Sequence, residues 1–130
     1  MICFKICEDS RAQELEPIAE AVHSLLGLPV TIRSMNNVGI RMERGEVVDW
    51  EYSGPVLEEV LKTHETIRKV PTEGVYRGKA VVVSPIKTLN GDVVGAIGVV
   101  DLVAALDILS VFREYPDIID EVEEARKQQC

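Results

Sequence analysis

Cysteine is scarce and odd in number: Cys3, Cys7 and Cys130 are the three thiols in 130 residues. An odd set without framework spacing excludes a disulfide scaffold and points to a reducing cytoplasm. The Cys3–Cys7 interval is no zinc knuckle, and the two histidines, His23 and His64, form no ligand pair, so the thiols read as incidental. No apolar run approaches the roughly 18 residues that a spanning helix needs. Positive charge is also short. Fourteen Lys and Arg against 22 Asp and Glu leave a net charge of −8, which disfavours nucleic acid and an anionic membrane as partners. The start, Met1 to Asp9, is too short and too soon acidic for a signal peptide. There is no Walker loop and no G-x-S-x-G elbow around Ser84. Gly91, Gly95 and Gly98 lie within a strand pair, not between strand and helix, so they form no dinucleotide fingerprint. No motif indicates a cofactor.

What is present is an ordinary globular composition, 46% hydrophobic and 28% charged, long enough for one domain over residues 1–130 with its own core. The organising stretch is Lys79 to Asp101. Two apolar runs flank Asn90-Gly91, the signal for a two-residue type I′ turn. That turn sets Leu89 opposite Asp92, Lys87 opposite Val94, Ser84 opposite Ile97 and Val82 opposite Val99. Val81, Val83 and Val100 then point one way, and Val82, Ile86, Ile97 and Val99 the other. A ribbon apolar on both faces needs cover on both, so it belongs at a sheet centre.

Along the chain, Ile2 to Ile6 reads as either a short strand or a tail. Ser10 with Gln13 suggests a capping box. Leu15, Ile18, Val22, Leu25 and Leu26 form a helical stripe, with Pro17 in the first regular turn and Gly27 and Pro29 as the stop. Strands follow at 30–35, 39–43 and 47–52. Three-residue turns at 36–38 and 44–46 put Ile32 opposite Met42 and bring Val30, Ile40, Met42, Val48 and Trp50 to one side. Ser53 caps a second helix with Pro55 in its first turn, Val56, Leu57, Val60 and Leu61 on one face, and His64 extending it. Thr63 to Lys69 is polar, and Thr72 to Gly78 is a loop holding Tyr76. After the hairpin, Asp101 caps a third helix through Phe112, and a last helix starts at Pro116. The order predicts an α+β domain: a single antiparallel sheet of about five strands flanked by helices.

The same register lines up Arg33, Arg41 and Asp49 across the other sheet face. Either this is a solvated face laced by Asp49, Glu43 and Glu51, or the two arginines grip a carboxylate or phosphate. Tyr76 and Arg41 would wall a pocket between sheet and helix, with Ser84 as a small core residue or ligand-facing hydroxyl. His23 reads as a partly buried, satisfied histidine beside the first helix stripe. An enzyme built on His23, Arg33, Arg41 and Asp49 lacks a nucleophile or metal, so no enzymatic activity is expected.

The segment from Ser84 to Asp101, with its P-I-x-x-x-x-G-x-V-x-G-x-x-G spacing, resembles the closing hairpin of PAS, GAF and Cache-type sensory domains. The element order is similar to the wider profilin-like group, which includes the roadblock interaction proteins. Gly95 and Gly98 mark places where a ligand or backbone comes close. The runs Ala21 to His23, Leu28 to Thr31, Arg33-Ser34 and Tyr52 to Glu58, with Pro85-Ile86 and Gly95 to Asp101, resemble an uncharacterised family of methanogenic archaea. That resemblance spans most of the chain and implies a stand-alone cytoplasmic domain without assigned activity. The expected function is a sensory or regulatory module, working as a homodimer, that binds a small molecule, a small anion being one candidate. Arg33, Arg41, Tyr76, Ser84, Gly95 and Gly98 are its candidate contacts. The competing reading is a roadblock-like assembly module that meets a protein partner and no ligand.

Overall fold

The structure, a computed structural model, describes residues 2–100, which belong to one compact unit ending at Val100. The helices expected from Asp101 and Pro116, and Cys130, lie outside the described residues. The elements are α1 (Ala12–Leu26), β1 (Val30–Ser34), β2 (Gly39–Glu43), β3 (Glu46–Tyr52), α2 (Pro55–Thr63), β4 (Ile67–Lys69), β5 (Val81–Lys87) and β6 (Val93–Val100). The six strands form one sheet in the order β3-β2-β1-β6-β5-β4, and every pairing is antiparallel. The α+β class stands, with one strand more than expected. The extra strand, β4, has only three residues and one apolar side chain, too little for an alternation to show.

Helix α1 starts five residues before Pro17, which sits inside it. Its entry is not capped by Ser10. The Ser10 hydroxyl accepts the Cys7 N–H at 2.9 Å instead, while Glu14 accepts the Arg11 N–H at 3.1 Å. The buried stripe is Ala12, Leu15, Ala19 and His23, with Ile18 and Val22 beside it, and Leu25 and Leu26 are exposed. Gly27 ends the helix at φ 68°, its N–H donating to the His23 carbonyl at 2.7 Å. Residues 2–7 form no ladder, although Ile6 packs against the core.

Far from its turn, the central hairpin has the expected register, with Ser84 opposite Ile97 and Val82 opposite Val99. Near the turn it departs. Thr88 N–H donates to the Asp92 carbonyl at 2.8 Å and Gly91 N–H to the Thr88 carbonyl at 2.9 Å, so the loop is Leu89-Asn90-Gly91. Gly91 alone takes positive φ there, 92°, where a type I′ turn needs two such residues. The extra loop residue is cancelled by a shift between Ile86 and Lys87, which sets Lys87 opposite Val93 rather than Val94.

Two other registers are corrected. Ile32 faces Ile40, and Val30 faces Met42. This slip of two residues keeps every side chain on its expected face because the strand period is two. The β2–β3 turn is the two-residue Arg44-Gly45, φ 53° and 82°, a type I′ pair that suits the strand twist. Two irregularities in β2–β3 then re-phase the edge, so Val48 and Trp50 are 41% and 45% exposed instead of joining the core.

Helix α1 covers one face of the sheet over β1 and β2, burying Val30, Ile32 and Ile40 at 0% exposure. Helix α2 covers the opposite face over β5 and β6, where Val81, Val83 and Val100 are buried. Its N-cap is Gly54, with Pro55 as the first helical residue, and the exposed His64 is its left-handed C-cap rather than part of the apolar face.

Candidate functional site

The α2 face carries a row of residues that runs straight across the strands: Asp49, Arg41, Thr31, Gly98 and Val83. Thr31, Gly98 and Val83 floor a cleft whose far side is Val56 and Leu57 of α2. Gly98 has little freedom to be anything else, since a Cβ there would stand 2.7 Å from Val83 Cγ2 and 3.1 Å from Thr31 Oγ1. Tyr52, at the end of β3, and Tyr76 close the mouth, their rings edge to face at 6.5 Å. The enclosed space is about 20 Å³, room for about one water molecule. Tyr76, expected as a pocket wall, lines this narrow cleft, whereas Arg41 does not.

Part of its wall is the loop 70–80, through Pro71, Glu73 and Tyr76. Its exposed residues flank two buried anchors, Pro71 and Tyr76. The loop closes on itself: Gly78 N–H donates to the Pro71 carbonyl at 3.0 Å and Lys79 N–H to the Tyr76 carbonyl at 3.0 Å. Gly74 lies at φ 88°, and Pro55 Cδ would stand 3.1 Å from any added Cβ, tighter than van der Waals contact. The Tyr76 hydroxyl donates to Glu43 Oε1 at 2.6 Å, and Lys79 Nζ stands 6.0 Å from the Tyr76 ring centre.

Behind the two tyrosines, Arg41 Nη1 donates to the same Glu43 oxygen at 3.1 Å, and its guanidinium lies 6.0 Å from the Tyr52 ring centre. Arg41 Nε is buried without a hydrogen-bond partner. Such an orphan donor costs about 1–3 kcal/mol. The charges are mutually adjusted. Burial opposes the charge on Arg41, but the Tyr76 hydroxyl and Glu43 outweigh it, so its pKa is raised. The Tyr76 hydrogen bond, against the effect of burial and with help from Arg41, holds the Glu43 carboxyl below its ordinary value. Burial first, and the bond to Glu43 second, push the Tyr76 hydroxyl far above its ordinary value. Burial also raises Tyr52.

Of the residues singled out in the sequence, the structure brings together Arg41, Tyr76 and Gly98. Arg33 is not beside Arg41, because the observed register sets Thr31 there. Its guanidinium is spent on the Ser34 carbonyl at 2.9 Å, the Met35 carbonyl at 3.0 Å and the Ser53 hydroxyl at 2.8 Å. The expected pair of arginines gripping one anion is thus not formed, and Ser53 serves Arg33 rather than capping α2. Ser84 and Gly95 lie on the opposite sheet face. The Ser84 hydroxyl meets that of Thr66 at 3.0 Å, and the space over Gly95 is taken by the Arg33 carbonyl, 2.4 Å from a built Cβ. His23 is the satisfied histidine expected: Nδ1–H donates to the Leu28 carbonyl at 2.7 Å and Nε2 accepts the Gly45 N–H at 2.8 Å. Glu43, Tyr52 and Thr31 are site residues that the sequence reading passed over. Their one local signal is an alternation that sets Thr31, Arg41 and Glu43 opposite the Ile32–Ile40–Met42 face.

Residues 22–103 match a family described as an uncharacterized protein conserved in archaea, DUF2111. The chain belongs to this family. It is also 49% identical over 116 residues to an uncharacterized protein of Methanocaldococcus jannaschii, covering 86% of this chain and 87% of that protein. No solved structure matches it. No helix among the described residues is long and apolar enough to cross a membrane, and no group of metal-ligating side chains occurs among them.

Proposed function

We propose that this archaeal family member is a regulatory module that binds a small molecule in the cleft between α2 and the sheet, with the 70–80 loop as its gate. The observation that carries this reading is the gate's construction. One self-closed loop lines an apolar cleft with a tyrosine, and that tyrosine is held to β2 by one hydrogen bond, Tyr76 to Glu43. Loops with few buried anchors open at low free-energy cost. Opening merges the cleft with the Arg41–Glu43 pair into a concave, mostly apolar site with a few convergent polar groups, the usual form of a ligand pocket. The resemblance of Ser84 to Asp101 to sensory-domain hairpins supports the same assignment. Exposed thiols at Cys3 and Cys7 suit a reducing cytoplasm as its home.

A thermal-shift screen of small metabolites, followed by backbone amide chemical shifts, tests the proposal. A ligand should raise the midpoint and move resonances of residues 71–80, Thr31 and Gly98, leaving the α1 face still. Stabilising ligands whose shifts cluster elsewhere would remove the cleft from consideration.

One observation favours the assembly reading. Beside α1, the outer stretch of the same sheet face keeps Val82, Ile86, Ile97 and Val99 only half-buried. A homodimer or separate protein partner on that strip would bury them. Light scattering across a concentration series decides: a strict monomer at all concentrations argues against self-association there.

A further inference from the structure

Resting on the binding-module reading, we infer that the ligand is a neutral planar molecule that presents a carbonyl next to an N–H, as a primary amide or a lactam does. This rests on complementarity behind Tyr76, the lining residue that links the cleft to Glu43. When Tyr76 leaves, Glu43 Oε1 loses the O–H it accepts at 2.6 Å, and so needs a new donor. Arg41 meanwhile keeps an Nε–H that is buried and unpaired even in the closed form. It has also lost the Tyr76 oxygen that helped to stabilise its charge, so it needs an acceptor. The site thus asks for an acceptor and a donor side by side.

Charge narrows the choice. Arg41 Nη1 remains on Glu43 at 3.1 Å, so the pair is close to neutral as a unit. A carboxylate satisfies Arg41 but sets a second negative charge beside Glu43, and an ammonium satisfies Glu43 but faces the guanidinium. A hydroxyl offers only what Tyr76 already offers, and with the Tyr76 hydroxyl in place Arg41 Nε still has no partner. The amide edge answers both: its carbonyl accepts from Arg41 and its N–H donates to Glu43. The remainder of the ligand replaces the Tyr76 ring. The cleft it lines also holds Thr31, Gly98, Tyr52 and the apolar side chains of Val83 and Leu57, surroundings that suit a ring.

The test uses the full chain and three probes that differ only in their polar head: benzamide, benzoate and phenol, titrated by calorimetry or amide chemical shift at neutral pH. Benzamide should bind about tenfold or more tightly than either of the others, the usual scale for one buried polar mismatch. Tyr76→Ala should tighten benzamide, because no tyrosine has to be displaced. Glu43→Gln should bring benzoate to within about threefold of benzamide, because the repelling charge is gone. Equal binding of the three probes in the cleft, or a preference for benzamide untouched by Glu43→Gln, would overturn the amide assignment and leave the cleft as a binding site. Absence of binding by every probe to wild type and Tyr76→Ala alike would sink both. If Tyr76→Ala does not fold, the wild-type order of affinities and the Glu43→Gln ratio still decide.

Discussion

On the α1 face, Leu15, Val30, Ile32 and Ile40 are wholly buried, and the polar group inserted among such residues, His23, has both ring nitrogens bonded. On the α2 face, the sheet carries Arg41, Glu43 and Thr31 in the positions that correspond to Ile32, Ile40 and Met42 on the other side. There a donor is left orphaned, a cavity of about 20 Å³ persists, and the cover is partly a loop. Dry, interlocked packing resists opening, whereas an imperfectly satisfied polar cluster under a loop lies at the low-stability end of a molecule. The first face explains why the chain folds. The second is where the proposed gate lies.

Ways to break that comparison begin with the largest effect. Ile32→Ala should cost about 4 kcal/mol in urea unfolding, since a fully buried β-branched side chain leaves a cavity in a close-packed layer. A cost under about 1 kcal/mol would show that the α1 face is not the structural one. His23→Ala should cost about 2 kcal/mol. It leaves the Leu28 carbonyl and Gly45 N–H without their partner and frees Arg44, held at φ 53°, to relax.

Tyr76→Phe should cost less, about 1 kcal/mol overall, but should speed amide exchange in residues 71–80 by about tenfold while leaving β1 and β2 protected. Uniform acceleration across the sheet would contradict a gate that moves by itself. The same variant has a pH signature. The folded pKa of Glu43 is depressed below 4.5, so its contribution to stability is present above that value and disappears as pH falls through the folded pKa. With the Tyr76 hydroxyl gone, this acid-side loss should shrink, which paired urea titrations at neutral and acid pH would measure. The smallest effect belongs to Lys69→Ala. Its 2.7 Å ion pair with Glu59 is exposed at both ends, so the change should stay within about 0.5 kcal/mol.

Much of the fold is legible in the chain because it depends on local chemistry. The strands at Val30, Gly39 and Val47 and the helix behind Pro55 announce themselves by alternation, turn residues and a proline suited to a first turn. The site is legible in fewer places. Arg41 and Tyr76 stand out as residue types, yet Tyr52 carries no distinguishing local pattern and Glu43 only the strand alternation it shares with Arg41. Arg33 looks equivalent to Arg41 until a two-residue slip in pairing sends it to Ser53 and two carbonyls.

Sequence alone decided which side chains of β1, β2 and the central hairpin share a face, since the strand period of two survives the slip between β1 and β2, and it decided that the ribbon around Gly91 is central; the edge strand β3, re-phased by two irregularities, escaped it. Tertiary structure decided what no local pattern encodes. It paired Ile67–Lys69 with β5, placed a compensating bulge beside Lys87, and carried Tyr76 back across 33 residues of chain to Glu43. The reason is physical: alternation and turn preference act between neighbours in sequence, whereas the partner of a buried hydroxyl is chosen only after distant segments have packed.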